Sequence, residues 1–297
     1  MADPRRPPKV SGFTFVRNAV KYDYPIVEAV ESILPLCDEV VVAVGDSDDG
    51  TLDLVRAIPS PRIRIVETVW DDSLRKGGRV LAVETDKALR AVAPDADWAL
   101  YIQGDEVLHE DGIPALREAL ARFRDDRTVE GLLFDYRHFY GSYDYVGASL
   151  HWYRREVRVV RNDPAIFSYR DAQGFRRRPN EKLRVKKVDA VIHHYGWVKD
   201  PRAMQGKQAS FNKYWHDDAW MKAHVPAVEA YRYEGKEPLR RFEGTHPEVM
   251  RRRIAAMNWR FADDPGAVPL PVKDRLKLAV ERLTGWRPGE YKNYRLT

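Results

Sequence analysis

The segment Glu39–Gly45, reading Glu-Val-Val-Val-Ala-Val-Gly, constrains the fold more than any other part of the chain. A half-exposed strand alternates apolar and polar residues, whereas an unbroken β-branched run suits a parallel strand covered on both faces. The flanking sequence agrees. Residues 12–16 read as a preceding strand, and Pro25 opens a helix with Ile26, Val30, Ile33 and Leu34 on one face. A second helix starts at Thr51 after the polar turn 46–50, and residues 62–66 read as a third strand. A helix bearing Val80, Ala88, Leu89 and Val92 then leads to a fourth strand at 98–102. This βαβαβαβ order predicts an α/β chain with a Rossmann-like, doubly wound, mostly parallel sheet.

Such sheets bind ligands beyond the carboxyl ends of their strands. The loops that meet there supply Arg17 and Asn18, then Asp46, Asp48 and Asp49, then residues 71–78, and finally Gln103, Asp105 and Glu106. A dinucleotide site needs Gly-x-Gly-x-x-Gly after the first strand, where Phe15, Val16, Arg17 and Asn18 stand. A P-loop needs a phosphate-binding lysine; Gly45 and Gly50 have the spacing, but Thr51 takes the lysine position. An aspartyl-phosphate phosphatase needs a nucleophilic aspartate where Ser47 lies. What is left is a carboxylate-rich crevice suited to a divalent cation carrying a diphosphate.

Composition narrows the setting. Net charge is +5 from 50 basic and 45 acidic residues, too small an excess to indicate a nucleic-acid groove, and the arginine runs 176–178 and 251–253 read as solvated faces. The single cysteine, Cys37, excludes an internal disulfide and a cysteine metal site. No run approaches the roughly 18 apolar residues of a membrane span, and the start of the chain lacks an apolar signal core, so a cytoplasmic protein is expected.

Five segments together resemble family 2 glycosyltransferases of the GT-A type: VGDSDDGT after the second strand, WALYIQGDEVLHE at the fourth, HFYGSYDY at 138–145, HHYGWV at 193–198 and EGTHPEVM at 243–250. The family's Asp-x-Asp is here Gln103-x-Asp105. The resemblance implies transfer of a sugar from a nucleotide-sugar, with a UDP-sugar expected, to a glycan or glycolipid, with inversion and with Mn²⁺ or Mg²⁺ as cofactor. It implies Asp105 as metal ligand, joined by His194 with His193 competing for that place. Asp46 would hold base or ribose while Asp49 caps the following helix, and Arg17, Lys76, Gly77 and Gln103 would contact the donor. Glu106 would touch the cation or orient the sugar. A base for the acceptor hydroxyl is sought among Glu181, Asp135 and His138, and Trp152, Tyr153 and Trp197 are candidate sugar platforms.

Three segments follow: residues 1–111 as the nucleotide-sugar half, 112–262 as the acceptor half, and 263–297 as a linker with Asp264, Pro265, Pro269 and Pro271 before an amphipathic basic helix. That helix is expected to contact anionic membrane at its inner face. Two other classes stay open: a nucleotidyltransferase acting on a sugar phosphate, and a non-enzymatic module binding sugar or nucleic acid, although no nucleic-acid partner is expected.

Overall fold

In the computed structural model, which describes residues 6–261, 264 and 267–297, the β-branched run is covered from both sides. Strand β1 (Val10–Val16) is followed by α1 (Ile26–Ile33), β2 (Glu39–Gly45), α2 (Thr51–Arg56), β3 (Ile63–Thr68), α3 (Arg79–Ala91) and β4 (Trp98–Tyr101). Val40, Val42 and Val44 of β2 pack with Ile26, Val30 and Ile33 of α1 and Val55 of α2. Val41 and Ala43, on the opposite pleat, pack with Ala88 and Leu89 of α3. Fully burying one such side chain stabilises by roughly 1.5–3 kcal/mol, so both faces of β2 hold the two layers of helix to the sheet.

Beyond these strands come β5 (Glu106–Leu108), α4 (Ile113–Arg122), β6 (Gly131–Tyr140), β7 (Ser142–Gly147), β8 (Arg155–Arg161), β9 (Ile166–Tyr169), β10 (Gly174–Arg177) and β11 (Glu181–Trp197). The remainder is α5 (Pro201–Phe211), α6 (Asp218–His224), β12 (Leu239–Arg241), α7 (Arg251–Ala255), α8 (Val272–Thr284) and β13 (Tyr294–Leu296). The main sheet runs β3-β2-β1-β4-β8-β6-β11. Strands β1 to β4 are parallel, β8 is antiparallel to both β4 and β6, and β6 is parallel to β11. The fold is therefore α/β with a mixed, largely parallel sheet. The first hundred residues and the later ones share that one sheet, so residue 111 marks a change of pattern rather than a break in the molecule.

The long β11 organises the second half, pairing with β5, β6, β10 and β13. Because successive strand residues point to opposite faces, His193 and His194 diverge. His193 is buried against His109, Phe139 and His246, and its Nδ1 lies 3.1 Å from the Tyr195 hydroxyl, which also meets Nδ1 of His246 at 2.9 Å. This cluster fastens the 242–250 segment to the back of the sheet. Pro265 and residues 263 and 266 of the expected linker lie outside the described residues; α8 forms over Val272–Thr284 as its periodicity predicts. Among the described residues no helix is long and apolar enough to cross a membrane.

Burial, with the neighbouring His109 and His246, pushes His193 down to about 2. Burial also lowers His246 and drives His138 well below the usual histidine range. These rings stay neutral in the fold but protonate near pH 6.5 when unfolded, so the unfolded chain binds more protons below that pH. Stability is thus complete above roughly pH 6.5 and is lost as pH falls, by on the order of 1 kcal/mol per unit for His193 and for His138 and by less for the partly exposed His246. Urea unfolding at a series of pH values from 8 to about 5 should show this slope, and His193→Gln should flatten it.

Candidate active site

A single loop crossing brings the site together. After β4 the chain turns through Gln103, Gly104 and Asp105 into β5, which pairs with β11 so that Glu106 stands opposite His194. The amide of Tyr195 donates to the Asp105 carbonyl at 2.8 Å and ties the turn to β11. Nε2 of His194 then lies 3.7 Å from Oδ1 of Asp105. The other oxygen, Oδ2, accepts from Nζ of Lys207 on α5 at 3.2 Å, and the same ammonium donates to the Gly196 carbonyl at 2.9 Å.

Hydrogen bonding fixes which nitrogen of His194 is free. Nε2 of His138 lies 2.7 Å from the Tyr153 carbonyl, which only accepts, so Nε2 carries the proton. Nδ1 of the neutral His138 ring then accepts from Nδ1–H of His194 at 3.2 Å. The lone pair of His194 Nε2 is left facing Asp105. Burial lowers His194 despite the nearby carboxylates of Asp105 and Glu106, keeping the ring neutral. Burial alone would raise the Asp105 carboxyl, but the Lys207 ammonium hydrogen-bonded to it overcomes this and holds the group well below the usual carboxylate range. An ionised carboxylate thus faces an imidazole lone pair.

This donor pair fits a hard divalent cation. A β-carbon at Gly196 would come within 2.7 Å of both Asp105 Oδ2 and His194 Nε2, so a side chain there would crowd both donor groups. Among the described residues no third histidine, cysteine or acid joins the group. The remaining oxygen ligands would come from diphosphate and water, as is usual for Mg²⁺ and Mn²⁺ sites.

Around this pair lies a cavity of about 510 Å³. Phe15, Arg17, Trp70, Tyr214 and Trp215 form one wall, and His138, Trp152, Tyr153 and Trp197 the other. Arg17 is fixed by Asp72 at 2.8 Å, by Asp46 Oδ2 at 3.2 Å and by the Trp70 ring beneath it. Lys199 is wholly buried behind Lys207, donates to the Asp23 carbonyl at 2.7 Å and lies over Tyr24.

Several expected site residues fall elsewhere. Glu106 is not a site group: it is wholly buried, accepts from Nε and Nη2 of Arg158 at 2.8 and 2.7 Å, and accepts from the Tyr136 hydroxyl at 3.0 Å. It carries the turn rather than the ligand. Glu181 is exposed at the first residue of β11, thirteen positions before His194, which at about 3.3 Å per residue puts it roughly 43 Å along the strand. Asp135 is paired with Arg155 and Lys187 outside the cavity. Both ring nitrogens of His138 are engaged, so it orients His194 rather than taking a proton. Lys76 and Gly77 are exposed and away from the cavity lining. The glycine that matters in that loop is Gly78, whose φ of +66° and close approach to Asp171 and Trp215 exclude a side chain. Gln103 lines the cavity but its amide donates to the Ala172 carbonyl at 3.1 Å, across to the β9–β10 turn. Asp46 stands behind Arg17, and Asp49 accepts from the Thr51 amide at 3.1 Å at the start of α2.

Sequence reading missed Lys207, Trp70, Tyr214, Trp215 and Asp171. Asp171 sits in the β9–β10 turn between Arg170 and Ala172, both non-glycine residues with positive φ of 56° and 64°. Its carboxyl lines the cavity, is half-buried, and among the described residues forms no ion pair. Burial raises it above the ordinary aspartate value, against the hydrogen bonds from its own amide and that of Gln173.

No family model matches the chain, and no curated protein matches it. Among solved structures it is similar to the mannosyltransferase PcManGT from Pyrobaculum calidifontis in complex with GDP-Man and Mn²⁺, with 23% identity and a TM-score of 0.34 over 46% of this chain and 37% of that one. It is similar to S. aureus TarS at 15% identity and a TM-score of 0.38, over 68% of this chain and 38% of that one. It is also similar to 4-diphosphocytidyl-2C-methyl-D-erythritol synthase from Anaerococcus prevotii, at 12% identity and a TM-score of 0.33 over 53% and 73% of the respective chains. The chain thus spans less than two fifths of the length of the first two.

Two outcomes follow from this geometry. Gly196→Ala should abolish Mn²⁺ binding, read by the paramagnetic relaxation of water, while leaving the circular dichroism spectrum unchanged. Arg158→Met should lower unfolding free energy by about 3–5 kcal/mol, because it leaves Glu106 charged and buried without its partner, and urea denaturation measures the loss.

Proposed function

We propose that this chain is a metal-assisted GT-A-type glycosyltransferase that moves a sugar from a nucleotide-sugar, a UDP-sugar in the first instance, to a hydroxyl of a glycan or glycolipid acceptor. The observation that carries the proposal is the ionised Asp105 facing the His194 lone pair across the gap kept by Gly196, at the strand ends of an open cavity. Asp105 and His194 would hold Mn²⁺ or Mg²⁺, whose charge stabilises a departing diphosphate. Arg17, stacked on Trp70, lies where a nucleotide could bind beyond the strand ends. Lys207 brings a second positive charge to the same place, beside Asp105 and inside the cavity, where a developing phosphate charge is poorly screened.

Asp171 is the base in this reading. Its carboxylate accepts the acceptor hydroxyl proton as the new C–O bond forms at the anomeric carbon, and the nucleoside diphosphate leaves with the electron pair of the broken C–O bond. A strained turn holding an unpaired, half-buried carboxyl in a cavity is the kind of backbone cost found where a side chain must be aimed. Trp152, Tyr153 and Trp197 supply ring faces for the acceptor sugar on the opposite wall. A single displacement of this kind would invert configuration at the anomeric carbon. Its proposed place of work is beside the inner face of a membrane.

Thermal shift with a panel of nucleoside diphosphates and nucleotide-sugars, with and without Mn²⁺, should show a metal-dependent rise in Tm that Asp105→Ala removes. Pyrophosphate release from a nucleoside triphosphate and a sugar phosphate would instead identify a nucleotidyltransferase. Asp171→Asn should cut kcat by about 10²–10⁴-fold while the Tm rise with nucleotide and Mn²⁺ stays intact; unchanged transfer would remove Asp171 from the mechanism.

A further inference from the structure

The least explained surface of the molecule lies on α8. Val272, Leu276 and Leu283 are 70, 65 and 87% exposed, and Trp286 just beyond the helix is 58% exposed. With Ala279, the helical positions follow steps of four, three and four residues, so they form one stripe along the helix. A helix on a globular surface ordinarily turns such a stripe inward. Here, of the apolar residues of α8, only Leu278 and Val280 are partly covered, and the inward side is held by charge: Glu281 accepts from Arg154 at 2.9 Å and Arg287 at 2.6 Å, and Glu290 accepts from Arg154 at 2.7 Å. α8 is thus fixed by ion pairs on its back while its apolar side faces out.

The flanks of the stripe are basic. At about 100° per residue, Lys273 lies on one side of it and Arg275 and Arg282 on the other, all three exposed and, among the described residues, none in an ion pair. The acid Glu281 is on the opposite side, already engaged with Arg154 and Arg287. Two copies of α8 packed face to face would crowd these like charges together, whereas a bilayer with anionic headgroups meets both flanks with opposite charge and takes the apolar stripe between them. Tryptophan at the edge of such a stripe suits the headgroup level.

We propose that α8 is a membrane seat: Val272, Leu276, Leu283 and Trp286 enter the interfacial layer of an anionic bilayer, with Lys273, Arg275 and Arg282 on its phosphates. This deepens the proposed function, since Arg287 also donates to the Trp152 carbonyl at 3.1 Å and so joins the seat to the acceptor wall of the cavity. The acceptor it implies carries a lipid anchor. The seat itself is tested without any transfer assay.

The full chain is sedimented with vesicles of phosphatidylcholine containing roughly 30% phosphatidylglycerol, and with pure phosphatidylcholine vesicles, at low and high salt. Binding is expected to the anionic vesicles only, weakening with salt. Leu276→Glu with Leu283→Glu should lower it at least tenfold, and Lys273→Glu with Arg275→Glu should do the same. All four sites are exposed, so Tm and the Tm rise with nucleotide and Mn²⁺ should match wild type, which separates loss of the seat from loss of fold or of the transferase site. Trp286→Phe should remove a blue shift in tryptophan emission on vesicle addition. The proposal is overturned by absence of binding, by binding that survives Leu276→Glu with Leu283→Glu, or by a dimer in solution that those substitutions dissociate.

Discussion

The buried pair of Glu106 and Arg158 is the constraint on which the cavity depends. Glu106 is the first residue of β5 and Arg158 the centre of β8, so their two hydrogen bonds join a three-residue strand to the middle of the main sheet. Arg158 lies between the rings of Tyr101 and Tyr136, and the remaining capacity of the carboxylate is filled by the Tyr136 hydroxyl and the backbone N–H of Gln103. Charges so far from water are tolerated only when every partner is present. Because Asp105 precedes Glu106 directly, the rigidity of the pair becomes the position of the Asp105 carboxylate.

Electrostatics around Asp105 carries the same economy. One oxygen belongs to Lys207 and the other is turned toward His194, so the carboxylate is neutralised on one side and available on the other. Behind His194, His138 and the Tyr153 carbonyl settle which imidazole nitrogen holds the proton. Lys199 lies behind Lys207 in the interior, where burial drives its ammonium well below the usual lysine range and the neighbouring Lys207 pushes the same way, so Lys207 is the cation of the site. A diphosphate would meet one fixed cationic end and one open carboxylate–imidazole gap.

Much of the fold was legible because its signals are local. The β2 run, the Pro25 helix start and the periodicity of α3 and α8 each need only neighbouring residues, and all four elements form close to where the pattern puts them. The loops at the strand ends were legible for the same reason. The second half was not: β9 and β10 are four residues each, and β11 runs for 17 residues with alternating burial interrupted by bulges. Site residues supplied by distant elements left no local mark. Lys207 comes from a helix 102 positions after Asp105, and Asp171 from a turn whose strain shows only in backbone angles. Glu106 misled in the opposite sense, since an acid beside Asp105 looks like a ligand until Arg158, 52 positions away, is seen to claim it.

Strand β13 pairs with Leu183, Arg184 and Val185 of β11. That short zipper lies downstream of α8, while Arg154 and Arg287 hold the helix from the other side. Among the described residues α8 is thus tied to the body from two sides, and it works as a bracket beside the cavity. Orientation of the groove toward an incoming chain end would then be set by a rigid lever some distance from the chemistry, with no moving lid required to aim it.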